Sequence, residues 1–166
     1  MEGVRILVTY YSRTGSTEEM ARAVAEGVRE VKGAEAVLKR VEDVRVEELR
    51  EYDGIIIGSL TYYGQMASEV KRLIDESVKL HGELEGKVGA AFSSCGARGG
   101  GCETTVLSII KAMLIHGMIV QGDPEEHHYG VVSVGKPDDA VLRACGRLGR
   151  RVAELALRLK KGGRRL

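Results

Sequence analysis

The stretch Tyr10-Tyr11-Ser12-Arg13-Thr14-Gly15-Ser16-Thr17 decides how the rest of the chain is read. Upstream lies an apolar run over residues 4–8, which reads as a buried strand. Downstream, Glu18-Glu19-Met20 opens a helical pattern. A turn between strand and helix, floored by glycine and walled by Ser and Thr, gathers backbone N–H groups at the positive end of a helix. That is an anion site, and the first expectation is a bound phosphate. The same residues also suit an N-capped helix with Ser16 and Glu19 as a capping box.

What the stretch lacks narrows the phosphate. There is no G-x-x-x-x-G-K-[ST] and no lysine to meet a β/γ-phosphate, so NTP hydrolysis is unsupported. There is no G-x-G-x-x-G, so the dinucleotide fingerprint fails. No cysteine stands in the loop, which excludes a phosphatase thiolate there.

Working outward, Met20, Val24, Val28 and Val31 recur at helical spacing and predict a helix over about residues 17–31, ended by Lys32-Gly33. Residues 36–41 read as a weaker strand and 46–52 as one or two helical turns. Gly54-Ile55-Ile56-Ile57-Gly58 is apolar on both faces, as a central parallel strand must be. Met66, Val70, Leu73, Ile74 and Val78 mark a further helix, residues 87–93 a strand, and Val106, Ile109, Ile110, Met113 and Leu114 another helix closed by His116-Gly117. A last strand comes in two pieces, 118–121 and 131–134. Pro137 is expected to open the final helix, and residues 160–166 to form a frayed basic tail. The fold class expected is α/β: a doubly wound, five-stranded parallel sheet with helices on both faces, one domain over residues 1–166.

Bulk properties exclude several classes. Lys+Arg 25 against Asp+Glu 24 leaves a charge of +1, which points to no nucleic-acid partner. No segment reaches the roughly 20 apolar residues of a membrane span. Three cysteines without a secreted framework, and no signal-peptide pattern, give the expectation of a cytoplasmic protein. Scarce amides beside abundant Arg, Lys and Glu lean towards a heat-adapted source.

In a doubly wound sheet ligands sit beyond the carboxyl ends of the strands, where strand order reverses. Two more loops of unusual composition are expected to meet the first there. Gly58-Ser59-Leu60-Thr61-Tyr62-Tyr63-Gly64-Gln65-Met66 carries two tyrosines between glycines, which either pack on the helix below or stack on a flat ligand; packing is the ordinary outcome. Ser93-Ser94-Cys95-Gly96-Ala97-Arg98-Gly99-Gly100-Gly101-Cys102-Glu103 has the glycines that let backbone approach a ligand closely. Its C-x₆-C pair is not a zinc spacing, so no metal is assigned. Between a redox disulfide, with Cys102 near a helix N-terminus, and unpaired thiols, the expectation is unpaired thiols.

The hydroxyl-rich S-x-T-G-x-T resembles the FMN phosphate loop of flavodoxins. Together with Glu51-Tyr52-Asp53-Gly54-Ile55-Ile56-Ile57-Gly58-Ser59, Thr61-Tyr62-Tyr63-Gly64-Gln65-Met66, Lys87-Val88-Gly89, His116-Gly117-Met118 and Tyr129-Gly130, it is similar in order to flavodoxin-like proteins of the WrbA type, FMN-dependent NAD(P)H:quinone oxidoreductases. The resemblance implies that Ser12, Arg13, Thr14, Gly15, Ser16 and Thr17 bind the FMN phosphate. Leu60, Thr61, Tyr62, Tyr63 and Gly64 would flank the isoalloxazine, and Ser94, Cys95, Gly96, Arg98, Gly99, Gly100 and Gly101 would serve its pyrimidine edge. His116 would lie close to the ring, with His128 and Tyr129 on the substrate side. NAD(P)H as transient reductant, a small quinone as acceptor and a homodimer or homotetramer are implied as well. Leu60 stands where that family usually has proline, and the segment between Met118 and Tyr129 is short for it.

Response regulators share the fold class but need acidic residues where this chain has Tyr10-Tyr11 and a phospho-accepting aspartate where it has Gly58-Ser59. Three readings remain. The first is a two-electron FMN oxidoreductase, with Arg98 or backbone N–H groups near the ring's negative edge and His116, His127 and His128 as candidate donors to a quinone oxygen; for His127 and His128 an ordinary surface or helix-end histidine is the expected outcome. The second is a small electron carrier, a class that is strongly acidic where this chain is near neutral. The third is a binding module that has lost the flavin.

Overall fold

The two apolar runs nearest the opening stretch pair with each other. In the computed structural model, which describes residues 3–162, β1 (Val4–Tyr11) lies parallel to β3 (Gly54–Tyr62), with Ile6 opposite Gly54 and Tyr11 opposite Ser59. β2 (Ala34–Arg40) flanks β1 on one side, and β5 (Val88–Cys95) flanks β3 on the other, all parallel. Beyond β5 the fifth position is shared by β6 (Ile119–Val120) at its start and β7 (Val132–Val134) at its end, as the two-piece expectation has it. The order β2-β1-β3-β5-β6 reverses between β1 and β3.

Alternation decides which helix covers which face. Ile6, Val8 and Tyr10, with Ile56, Val88 and Phe92, pack under α1 (Ser16–Arg29) and α4 (Asp139–Lys161). Leu7, Ile55, Ile57 and Ala91 pack under α2 (Ser68–Glu76) and α3 (Cys102–Ile115). Burying each such side chain contributes on the order of 2 kcal/mol, which is why strands covered twice carry no polar alternation over residues 54–58. Gly58 makes room for the one phenylalanine: a Cβ there would stand 2.2 Å from the Phe92 ring.

Several boundaries differ from the sequence reading. α1 starts at Ser16, its N-cap is Gly15 at φ 104°, and no side chain caps it, so the Ser16–Glu19 box does not form. The chain needs the left-handed conformation to turn into the helix, and glycine alone takes it without strain. Pro137 precedes the last helix rather than opening it; Asp138 is the N-cap, its carboxylate accepting from Val141 N at 2.8 Å. Val78 does not join the buried face of α2 but lies in the following 3₁₀ turn, Ser77–Leu80, and is exposed. Of the expected tail, Lys160 and Lys161 are helical and Lys160 Nζ donates to Gly3 O at 2.9 Å; residues 163–166 lie outside the described residues. Among the described residues no helix is long and apolar enough to cross a membrane.

α1 and α4 meet through glycine. A Cβ on Gly27 would come within 2.0 Å of Gly146 O, and one on Gly149 within 2.1 Å of Val24 O. At Gly146 itself the nearest atoms are 3.7 Å away or more. Gly146→Ala should therefore stabilise the protein by about 0.5–1 kcal/mol through helix propensity. Gly27→Ala should destabilise it by about 1–3 kcal/mol, because backbone cannot yield as a side chain does. Urea unfolding of both variants checks the opposite signs.

Candidate functional site at the carboxyl rim of the sheet

Register puts the ends of the three central strands level. Tyr11 is opposite Ser59 and Ser59 opposite Ser93, so the loops that follow leave the sheet at one height. The first loop turns back on itself: Ser12 Oγ accepts from Gly15 N at 3.2 Å, and the first helical bond runs from Glu19 N to Gly15 O. The N–H groups of Ser16, Thr17 and Glu18 precede that bond and point out of the helix end. Thr14 and Gly15 are exposed while Ser12 and Thr17 are buried. No Cβ on Gly15 would meet an atom within 4 Å, which leaves open space above the N–H groups.

The second loop is a hairpin, which the sequence reading missed. β4 (Gln65–Met66) returns antiparallel to β3, with Thr61 opposite Met66 and Tyr62 opposite Gln65. Between them Tyr63 and Gly64 have φ 48° and 75°, the two successive positive values of a tight hairpin turn. Gly64 supplied the signal, but tyrosine at positive φ is unfavourable and gave none. Tyr63 packs on nothing, being 106% exposed, and Tyr62 is 40% exposed. The expected packing of this pair on the helix is thus overturned for Tyr63. Arg13 neighbours the Tyr62 hydroxyl, whose hydrogen bond raises the Arg13 pKa.

Hydroxyl contacts tie the loops together. Thr17 Oγ1 and Ser94 Oγ are 2.8 Å apart on the α1 face. On the opposite face Thr61 Oγ1 meets Ser93 Oγ at 2.8 Å and donates to Thr105 Oγ1 at 3.0 Å. Thr104 Oγ1 lies 3.0 Å from Gly64 O, and a Cβ on Gly101 would stand 2.5 Å from Gly64 Cα, so the second and third loops touch backbone to backbone. Leu60 and Thr61 are half-buried beneath this contact, and Gly96, Ala97, Arg98, Gly99 and Gly100 are exposed above it. The third loop is closed by a disulfide between Cys95 and Cys102, contrary to the expectation of free thiols. The fold brings the two ends of the loop together, with Cα atoms 5.5 Å apart, which spacing along the chain does not reveal.

Arg40, a residue to which the sequence reading gave no role, stands at the end of β2 opposite Tyr10. It donates to Ser12 O at 3.0 Å and lies over the Tyr10 ring at 5.7 Å. Only the β1–β2 register carries it there.

Four expected site residues are not brought to the rim: His116, and the neighbouring His127, His128 and Tyr129. α3 begins at the rim and its 14 residues carry His116 about 20 Å to the other end of the sheet. There Ser77 Oγ donates to Ile74 O at 2.6 Å, so His116 Nε2 at 2.8 Å donates to Ser77; burial, then nearby His81, lowers the His116 pKa. His128 and Tyr129 sit lower on the β5 edge, Gly130 being packed against Ala91 O. They line a crevice of about 20 Å³ with Asp123 and Arg151, room for a single water. His128 Nδ1 is 2.7 Å from Asp123 O, the geometry of an N–H donating to that carbonyl. The segment is held by Asp123, whose carboxylate accepts from Arg147 at 2.7 and 3.2 Å.

A doubly wound sheet with an N–H cradle, exposed tyrosines and a glycine loop at its switch point defines a class of proteins that hold flat, phosphorylated ligands. Comparison with known proteins is more specific. A family profile described as Flavodoxin matches residues 8–104. A protein of Archaeoglobus fulgidus named NAD(P)H dehydrogenase (quinone) is 40% identical over 189 residues, covering 93% of this chain and 98% of that one. A protein of Aquifex aeolicus named Flavodoxin is 40% identical over 158 residues, covering 90% and 85%. Among solved structures, a flavodoxin from the domain Archaea has a TM-score of 0.78 at 31% identity, covering 92% of this chain and 99% of that one. A flavodoxin, WrbA-like protein from Agrobacterium tumefaciens shares the fold, with a TM-score of 0.79 at 24% identity, covering 94% and 99%. The chain belongs to the flavodoxin family.

Two expectations follow from the geometry. Thr17→Val leaves the buried Ser94 hydroxyl without its partner and should cost about 1–2 kcal/mol of stability. Adding Ser94→Ala should cost less than the two single changes summed, which a urea double-mutant cycle reads directly. The Arg147 hydrogen bonds hold the Asp123 pKa down from 3.8 to about 2. A depressed carboxylate stabilises the fold above its unfolded pKa, so this contribution is whole above about pH 4 and is lost as pH falls through about 2. Asp123→Asn should lower stability by about 1 kcal/mol at pH 7, and the difference from wild type should shrink towards pH 2.

Proposed function

We propose that this chain binds FMN at the carboxyl rim and transfers two electrons from NAD(P)H to a small quinone. The observation that carries the reading is the joining of three separated loops into one cradle through Thr17–Ser94 and Gly64–Gly101 contacts. The name of the Archaeoglobus fulgidus relative, whose length the alignment nearly spans, supplies the reaction class. The residues fit the cofactor. Ser12, Arg13, Thr14, Gly15, Ser16 and Thr17 offer hydroxyls and outward N–H groups to a phosphate, and Arg40 backs the loop with positive charge through its bond to Ser12 O. Exposed Tyr62 and Tyr63 offer ring faces for stacking, with Leu60, Thr61 and Gly64 beneath. Ser94, Cys95, Gly96, Gly99, Gly100 and Gly101 provide backbone at the opposite side, and Arg98 a cation above it.

Bound FMN supplies hydride acceptance from the nicotinamide and electron delivery to the acceptor. The chain's own part is to bind, orient and polarise: no side chain at the rim is assigned proton transfer, and His116 and His128 stand elsewhere within the subunit. Exposed Val78, Leu114 and Ile115 on the α2–α3 side support association of copies into a homodimer or homotetramer.

An electron carrier is the second reading, favoured by the Aquifex aeolicus relative that is named Flavodoxin. The near-neutral charge and the rim arginines Arg13, Arg40 and Arg98 weigh against it, since a carrier of this class is strongly acidic. Mixing FMN-loaded protein anaerobically with NADPH or NADH separates the two. Rapid bleaching of the flavin bands by a nicotinamide, and their return on adding benzoquinone or menadione, is the expected result. Bleaching only by a separate reductase would establish the carrier, and a preparation that takes up no FMN would sink both.

A further inference from the structure

The disulfide is the one covalent feature of the rim that holding a flavin does not require. It closes the ring from Cys95, at the end of β5, to Cys102, the first residue of α3, around Gly96, Ala97, Arg98, Gly99, Gly100 and Gly101. Apart from Gly101, which packs on Gly64, these residues have little else to order them. Gly96 and Gly99 have no atom within 4 Å of a Cβ position, and the backbone bonds are a turn from Gly100 N to Ala97 O and the helix bond from Thr105 N to Gly101 O. Four glycines give the open loop the largest conformational freedom a chain can have. An intact cross-link removes most of it before a ligand arrives.

We propose that Cys95 and Cys102 form a thiol–disulfide exchange site whose substrate is a dithiol reductant and whose reduction loosens the rim's hold on its cofactor, an inference that rests on the FMN reading. Each sulfur already has an acceptor for the proton it would gain: Cys95 Sγ is 3.5 Å from Ala97 O and Cys102 Sγ is 3.4 Å from Ser133 O. Reduction therefore buries no orphan thiol. The direction of attack follows from position. Cys95 is 8% exposed, beside the open loop, and Cys102 only 2%. Cys102 opens a 14-residue helix, whose positive end favours the departing thiolate.

The dithiol's thiolate bonds to Cys95 Sγ as the Cys95–Cys102 bond breaks and Cys102 leaves. The reductant's second thiol then attacks its own sulfur in the mixed disulfide and releases Cys95. Two electrons pass to the pair, two protons end on its sulfurs, and the dithiol departs as a disulfide. The third cysteine takes no part: Cys145 is buried in the layer on the other face of the sheet, and burial pushes its thiol up to about 12. Because binding and exchange are linked, FMN must also make the disulfide harder to reduce.

The test uses the full chain, purified under air without reductant and split into untreated and dithiothreitol-treated samples. Alkylation in denaturant followed by mass spectrometry should count one thiol untreated, from Cys145, and three after treatment. FMN titration followed by quenching of flavin fluorescence should give a dissociation constant about tenfold larger for the reduced protein, equivalent to ordering about one residue's backbone on binding. The Cys95→Ser/Cys102→Ser variant should bind as weakly as the reduced protein and ignore dithiothreitol. Equal affinity in the two states overturns the inference while leaving the flavin reading intact, and so do three thiols in the untreated sample. FMN bound in neither state overturns both.

Discussion

The parallel pairing of β1 with β3, with β2 and β5 on their outer sides, is the constraint on which the remaining structure depends. The chain leaves β1, returns as β2 on one side and then crosses to β3 on the other. At that reversal the following segments diverge to opposite faces and leave a crevice between them. Pairing is fixed because both strands are buried on both faces: a slip of one residue would exchange Ile6 and Val8 with Leu7 and set each against the wrong helix layer. Level strand ends follow from that register, and a shared rim for three loops follows from level ends.

Short polar side chains then take over from the apolar core. Along the strands the buried positions change from Val, Ile and Leu to Thr9, Ser12, Ser59, Ser93 and Ser94 as the rim is approached. Buried hydroxyls need partners, and most find them on neighbouring elements: Thr17 for Ser94, and Thr61 for Ser93, with Thr105 accepting from Thr61 in turn; Thr9 Oγ1 finds none among the described residues. Ser59 Oγ accepts from Ala67 N at 2.9 Å and holds the hairpin turn to the start of α2. The backbone of the rim loops is thereby positioned by bonds made underneath it, which leaves the N–H groups of the first turn of α1 and the exposed Tyr62 and Tyr63 at the surface.

Charge is arranged in the same economical way. The molecule is nearly neutral, yet three arginines approach the rim from different segments: Arg13 from the first loop, Arg40 from β2 and Arg98 from the third loop. Acidic groups sit close to one of them, Glu18 3.8 Å and Glu42 3.3 Å from Arg40, and Glu18 and Glu19 lie in the first turn of α1. Beside the first loop, arginine and carboxylate are thus interleaved rather than segregated.

Much of this was written locally in the chain. The double-faced apolar runs over residues 4–8 and 54–58 determined a central parallel sheet, and helical spacing in Met20, Val24 and Val28 determined the layer above it, because burial of one face is a property of the pattern itself. The open turn into α1 was legible for the same reason: glycine and hydroxyls between a strand and a helix act through backbone next to them. Contacts between distant segments were not legible. The Cys95–Cys102 bond, the approach of Arg40 to Ser12 and the meeting of Gly64 with Gly101 depend on strand register and on where α3 starts. His116 and His128 looked like site residues from their motifs, but a helix of fixed rise carried the first to the far end and a short segment pinned the second beside Asp123. The sequence determined the elements and the cradle's chemistry, since those rest on neighbours along the chain; which side chains share the cradle was decided only by packing in three dimensions.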